Sequence, residues 1–176
     1  IVDGNSRDNT RGIAKKHGCK VIIDSQGKGS SLVKGVKSSL GNYIIMMDAD
    51  CSHNIKELGL LVDKLEEGYD ICMGSRFLKG GGSDDITFIR KIGNLFFVFV
   101  VNRLFSGDYT DLCYGYRAFR RDCFDGLCLK SKGFSIETEI SIKAAKRNLN
   151  IVEVPSFEKK RRYGSSNLKA FSDGLK

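Results

Sequence analysis

The sequence predicts an α/β fold: a largely parallel sheet with helices on both faces, built as one domain over residues 1–176. Three observations carry this. Short apolar runs alternate with segments of helical period from the first residues to Arg76. Most helical segments end on glycine or open on a capping pattern. Polar clusters follow the apolar runs, and in an open α/β sheet ligands bind beyond the carboxyl ends of strands. That β–α order argues for parallel strands joined through helices.

Taken in order, "IV" at 1–2 reads as the end of a strand, and "TRGIAKKHG" as a short helix closed by Gly18. "KVIID" is the second strand. "GKGSSLVKGVKSSLG" places Leu32, Val36 and Leu40 on one helical face, with Gly41 as its stop. "YIIMMD" is the next strand. Asn54 and Glu57 form a capping-box pattern ahead of a helix with Leu58, Leu61 and Leu65 on one side and Gly68 after it. "DICMGSR" is a further strand and "LKGGGSDD" a flexible loop by composition. "FIRKIGNLFFVFVVNRLFSG" reads as a long helix, apolar over much of its circumference, for which a buried core position is favoured over a membrane surface. "SIETEISIKAAKRN" is another helix, and "IVEVP" a late strand stopped by Pro155, the single proline.

Composition narrows the classes. Hydrophobic residues make up 41% and charged residues 28%, the balance of a globular domain. The longest apolar run, "LFFVFVV" at 95–101, falls short of the roughly 20 residues needed to span a bilayer. The net charge of +8 suits an anionic partner: nucleic acid, a phosphorylated substrate or an anionic membrane face. Nucleic acid is set aside, because no module with stacking aromatics on a basic sheet face is present. Six cysteines carry no zinc spacing and read as reduced thiols in a cytosolic compartment. The chain begins on "IVDG", inside a strand and without an initiator Met, so a longer intact protein is expected.

In "NYIIMMDADCSH" an apolar strand runs into two carboxylates, Asp48 and Asp50. Alternation along an extended segment puts both on one side, where a hard divalent cation relieves their repulsion. The same pattern also serves as a helix cap beside a solvated acid. "QGKGSS" opens a helix, where backbone N–H groups and the helix dipole favour phosphate, although taken alone the stretch reads as a simple tight turn. "VDGNSRD" follows the first strand as a turn rich in Asx residues.

The ordered set "VDGNSRDNT", "GKGSSLVKG", "MMDADCSH", "GSRF", "YTDLCYGYRAFRRD" and "EVPSFEKKRRYGSSNL" resembles the inverting family 2 glycosyltransferases. The similarity is greatest to bacterial cell-envelope enzymes and polyprenyl-phosphate (dolichol-phosphate) mannose and glucose synthases. It implies the GT-A fold, a Rossmann-like sheet binding a nucleotide sugar. By that resemblance Asp3 helps hold the nucleoside and Lys28 belongs to the nucleotide site. Asp48 and Asp50 carry Mg²⁺ or Mn²⁺ on the donor diphosphate, with Ser52 in reach of the ion. Asp111 is the acceptor-side acid, with Arg117 close behind, and Arg161 contacts phosphate. Relatives end the last motif in Ser-Lys where this chain has Ser166-Asn167. The family's first strand and helix are absent, which should leave an unpaired edge.

The implied reaction is metal-dependent transfer of a hexose from a UDP- or GDP-sugar to polyprenyl phosphate or a saccharide acceptor. The implied place is the cytoplasmic face of a cell membrane, at an anionic surface. Two other readings share the sheet: a non-catalytic module that binds nucleotide sugar or membrane, and a sugar-phosphate nucleotidylyltransferase, which leaves "TDLCYGYR" without a purpose.

Overall fold

The computed structural model describes residues 1–162; Ser166 and Asn167 lie outside the described residues. The chain runs β1 (Val2–Asp3), α1 (Thr10–Lys16), β2 (Ile22–Ile23), α2 (Lys28–Ser38) and β3 (Tyr43–Met46). A 3₁₀ turn (Ile55–Glu57) leads into α3 (Leu58–Glu66), followed by β4 (Ile71–Ser75), β5 (Gly82–Ser83) and α4 (Phe88–Phe105). Then come β6 (Arg117–Arg120), α5 (Arg121–Gly126), α6 (Ile136–Lys146), β7 (Ile151–Pro155) and β8 (Phe157–Glu158).

β1 and β2 pair in parallel as a two-stranded sheet of their own. The main sheet has the order β3-β6-β4-β7, with β4 and β7 parallel and β6 antiparallel to both its neighbours. β6 is the strand that the sequence conceals. "RAFR" shows arginine at both ends, yet Arg117, Ala118 and Phe119 are all fully buried.

Alternation along the central strands feeds two cores. Ile44, Met46, Ile71, Met73 and Phe119 face α6 and the inner side of α4, through Ile136, Ile140, Ala144 and Val101. Cys72, Ala118 and Val154 point the other way, onto Leu61 and Leu65 of α3 and onto Tyr114 and Tyr116.

Several details depart from the expectations. α2 ends at Ser38, before Gly41, and Leu40 is 97% exposed instead of continuing the apolar face. Two sets of donors close the helix there: the Ser39 N–H and hydroxyl both donate to Val36 O, and the Arg121 guanidinium donates to Val36 O, Ser39 Oγ and Gly41 O. Asn54 accepts from the Lys56 N–H and donates to Glu57 Oε1, which opens a 3₁₀ turn in place of a full capping box. "LKGGGSDD" is not only loop: β5 within it pairs in parallel with β8.

The largest departure is α4, for which a buried position was favoured. Its inner side carries the buried Asn94 and Val101, but Phe88, Ile89, Ile92, Leu95, Phe96 and Phe99 are exposed along the outer side. No helix among the described residues is long and apolar enough to cross a membrane.

The two leucines give a direct check of these assignments. Leu65→Ala should destabilise the protein by about 2–5 kcal/mol, whereas Leu40→Ala should leave the denaturant midpoint within error. Urea unfolding of both variants measures the contrast.

Candidate active site

The polar residues after β3 form a folded turn, not an extended segment. β3 stops at Met46, and Cys51 takes a left-handed backbone (φ +66°). Asp48 and Asp50 are therefore placed by hydrogen bonds and not by strand alternation. The Asp48 N–H donates to His53 Nδ1 at 3.1 Å, and the Ser52 N–H donates to Asp50 Oδ1 at 3.0 Å. His53 is buried, stacked on Tyr116 at 4.8 Å and edge-on to Tyr114 at 5.0 Å. Burial pushes its pKa down, in keeping with a neutral ring that accepts from Asp48. Ser52 is buried, and its carbonyl accepts from the Lys159 N–H.

Cations reach this turn from two directions. Lys28 Nζ lies 3.1 Å from Asp48 Oδ1 and 2.8 Å from Glu137 Oε1. Burial alone would lower the Lys28 pKa, but the two carboxylates outweigh it and raise it. On the other side, Arg161 Nη1 lies 3.8 Å from Asp50 Oδ2, while Arg161 Nη2 donates to Asp85 Oδ2 at 3.0 Å. Burial works against the Asp50 carboxylate, yet the Ser52 hydrogen bonds and the Arg161 charge bring its pKa below the usual carboxylate value.

The glycines flanking Lys28 serve packing. A Cβ on Gly29 would fall 2.1 Å from Ser131 O, and one on Gly27, itself at φ +114°, 2.5 Å from Lys132 O. The backbone N–H groups of Gly29 and Ser30 both donate to Lys132 O. Of the two readings of this turn, the backbone phosphate cradle loses these two donors, and it is the Lys28 ammonium that lies at the Asp48 carboxylate. Gly115 makes room for it, since a Cβ there would sit 3.1 Å from Lys28 Nζ.

Asp111 and Arg117 do not act as a pair. The Asp111 carboxylate is fully buried and bound in a fork by Arg76, with Nε at 2.7 Å from Oδ2 and Nη2 at 3.0 Å from Oδ1. The Arg76 and Cys113 N–H groups donate to it as well. Arg76 also reaches Glu158 at 3.0 Å and lies over the Tyr114 ring at 4.8 Å. Arg117, expected beside Asp111, is instead interior. Its guanidinium donates to Tyr114 O, Leu112 O, Glu137 O and Ser141 Oγ, and burial pushes its pKa down. This geometry corrects its placement: Arg117 fastens β6 to the start of α6.

Asp3, at the end of β1, is buried and accepts from the Ser6 N–H and hydroxyl. Those hydrogen bonds lower its pKa. Asp24, which closes the "KVIID" run in the same way, accepts from Lys34 at 2.6 Å; that hydrogen bond and one from Ser30 hold its pKa at about 2. Reading strand ends alone would have found Asp24. Arg76, directly after β4, carries the same signal, but its partner Asp111 does not follow from it; Glu137 carries none, because its partner Lys28 comes from a distant part of the chain.

Carboxylates and cations gathered beyond the strand ends of an open α/β sheet make this a ligand site of the kind that topology favours. A family model for glycosyl transferase family 2 matches residues 1–127, and the chain belongs to that family. It is 34% identical over 183 residues to glycosyltransferase AglJ of Haloferax volcanii, covering 99% of this chain and 58% of that protein. It is 32% identical over 177 residues to a dolichol-phosphate mannosyltransferase of Pyrococcus furiosus, covering 96% and 50%. The chain thus spans about half the length of these curated relatives. Glucosyl-3-phosphoglycerate synthase from Mycobacterium tuberculosis, solved with Mn²⁺ and UDP-glucose, superposes with a TM-score of 0.74 at 18% identity, over 94% of this chain and 60% of that one. That likeness shows the GT-A fold.

The interior placement of Arg117 has a measurable consequence. Arg117→Met strips the donors from three carbonyls and a hydroxyl, and should cost about 3 kcal/mol or more of stability. Urea unfolding of the variant checks this.

Proposed function

We propose that the chain is the catalytic part of a metal-dependent, inverting glycosyltransferase that moves a hexose from a UDP- or GDP-sugar to polyprenyl phosphate or another cell-envelope precursor. The observation that carries this reading is the cationic frame around the two carboxylates: Lys28 on Asp48 and Arg161 beside Asp50. Anions alone would want only a metal, and cations alone only a phosphate; both together suit a diphosphate delivered with its ion.

The two acids fit such an ion. They are hard oxygen donors, with side chains 41% and 25% exposed. Among the described residues no third His, Cys, Asp or Glu converges with them to complete a metal cage. Mg²⁺ keeps substrate phosphates and waters among its ligands and needs only one or two carboxylates. Asp48 and Asp50 would hold the ion, with Ser52 adjoining them in the same turn. When bound, Mg²⁺ or Mn²⁺ supplies Lewis-acid neutralisation of the diphosphate as it departs. Lys28 and Arg161 share in stabilising that growing negative charge. Asp3, at the neighbouring strand end, is the acid assigned to the nucleoside.

The state of Asp111 bears on the acceptor. Both its oxygens are engaged, so it is better arranged to fix Arg76 than to take a proton. A phosphomonoester, whose second pKa is about 6, needs no base to attack near neutral pH. This favours a phosphate acceptor over a sugar hydroxyl, and the name of the Pyrococcus furiosus relative points the same way. Attack from the face opposite the departing diphosphate gives inversion. The outward apolar side of α4, on a chain of net charge +8, supports an anionic membrane surface as a further partner, which would place the protein at the cytoplasmic face.

The deciding assay follows nucleoside diphosphate release from a panel of UDP- and GDP-sugars by the full chain, with and without Mn²⁺ and polyprenyl phosphate. Release requiring both metal and lipid phosphate is the expected result, and Asp50→Ala should lower it at least 100-fold. Release with a hydroxyl acceptor only would move Asp111 to the role of base. Binding of nucleotide without release would favour the non-catalytic module. The membrane partner is tested separately. The double variant Phe96→Ser/Phe99→Ser should cut co-sedimentation with anionic vesicles about tenfold or more, and unchanged sedimentation would remove that partner.

A further inference from the structure

Lys28 divides its charge unequally. Its ammonium lies 2.8 Å from Glu137 Oε1, and 3.1 and 3.2 Å from the two oxygens of Asp48. The Glu137 side chain is only 5% exposed, whereas that of Asp48 is 41% exposed. A carboxylate withdrawn from water depends on its counter-ion, while a half-exposed one can turn to solvent or to another cation. Lys28 is therefore the partner that Glu137 cannot give up and that Asp48 can.

Both ends of the Lys28–Glu137 pair are fixed. The Glu137 carbonyl accepts from Arg117 Nη1 at 2.8 Å and from Ser141 Oγ at 3.1 Å, which ties the first turn of α6 to β6. The start of α2 is held by the Lys132 carbonyl, which accepts from the Gly29 and Ser30 N–H groups. Lys130 and Ser131, in the same connection, donate their N–H groups to the Glu139 carboxylate. The ammonium thus has a set location at the edge of the Asp48 carboxylate.

Resting on the metal-dependent reading above, we infer that Glu137 is a positioning residue of the cation site: it holds the Lys28 ammonium back from Asp48, so that Asp48 can exchange the ammonium for a divalent cation while Lys28 stays in place to face the donor diphosphate. An ammonium and a divalent cation compete for the same carboxylate oxygens. With Glu137 present, the ammonium keeps a partner when Asp48 turns to the metal. With Glu137 made neutral, leaving Asp48 would strand a cation in a largely desolvated place, and metal binding has to overcome that.

The test is Mn²⁺ binding to the full chain without donor, followed by the electron paramagnetic resonance signal of free Mn²⁺ and by calorimetry. Glu137→Gln should weaken Mn²⁺ binding by roughly tenfold, the effect usual for a residue that orients a metal ligand. The double variant Lys28→Met/Glu137→Gln removes both charges at nearly constant shape, and should bind Mn²⁺ at least as tightly as wild type. In the Lys28→Met background the Glu137→Gln change should cause no weakening. Equal weakening in both backgrounds would mean that Glu137 acts without Lys28, and overturns the inference. So does an unchanged affinity in Glu137→Gln, which leaves the metal-dependent reading standing. Where the wild type takes up Mn²⁺ only with UDP present, the same series is read with UDP, and a wild-type chain that binds no Mn²⁺ in either case overturns both.

Discussion

The ammonium of Lys28 stands between Asp48, which follows β3, and Glu137, in the first turn of α6. Three parts of the chain meet at this one atom, and each is shaped to let them meet. Gly27 and Gly29 let α2 press against residues 131–132, and Gly115 leaves space above the ammonium. The connection before α6 closes on the α2 N-terminus through the Lys132 carbonyl. Without a cation here, two carboxylates would face each other in a partly dry site and repel. The site is thus prepared for negative charge by a protein cation before any ligand arrives.

Two other cations show how the same desolvation problem is met differently. Arg76 is almost buried and is answered by acids, Asp111 in a fork and Glu158 at 3.0 Å. Burial disfavours its charge, and those acids more than restore it. Arg117, wholly buried, is answered by carbonyl dipoles and a hydroxyl, with no carboxylate among the described residues in hydrogen-bond contact. The first arrangement keeps a guanidinium oriented at the edge of the site; the second is a tie between secondary-structure elements. Two arginines from neighbouring motifs therefore have unlike roles, and only the three-dimensional partners tell them apart. Aromatic contacts connect the two sides of the site, since Tyr114 lies under Arg76 and against His53, whose ring accepts from Asp48.

The helices and most strands were legible because period and glycine stops are local signals: Leu61 and Leu65 are buried as spaced, and Gly18 and Gly68 sit past helix ends at positive φ. β6 was not legible, because its ends are charged and its register is set by β3 and β4. Nor was the early end of α2, where Arg121 from far along the chain joins the local Ser39 cap on Val36 O. In the site, the pairing of Asp48 and Asp50 beyond a strand could be read from an apolar run meeting two acids, but their geometry could not, since the turn is shaped by His53 and Ser52 side-chain and backbone contacts. Glu137 was hidden for a related reason. In "SIETEI" it is one helix glutamate among two, and only the fold shows that it turns inward to Lys28 while Glu139 receives backbone donors from residues 130 and 131.

α4 joins the charged site to the apolar surface. Asp85, two residues before the Thr87 cap of α4, holds Arg161, which in turn lies beside Asp50. The apolar side then begins at once with Phe88 and Ile89 and continues to Phe99. A core helix would bury that side, and a helix facing water would not place six large apolar residues together on it. On the function proposed above, an acceptor with an anionic head and a hydrocarbon tail would match both halves of this arrangement: its phosphate would meet Arg161 near the start of the helix, and its tail would follow the apolar side.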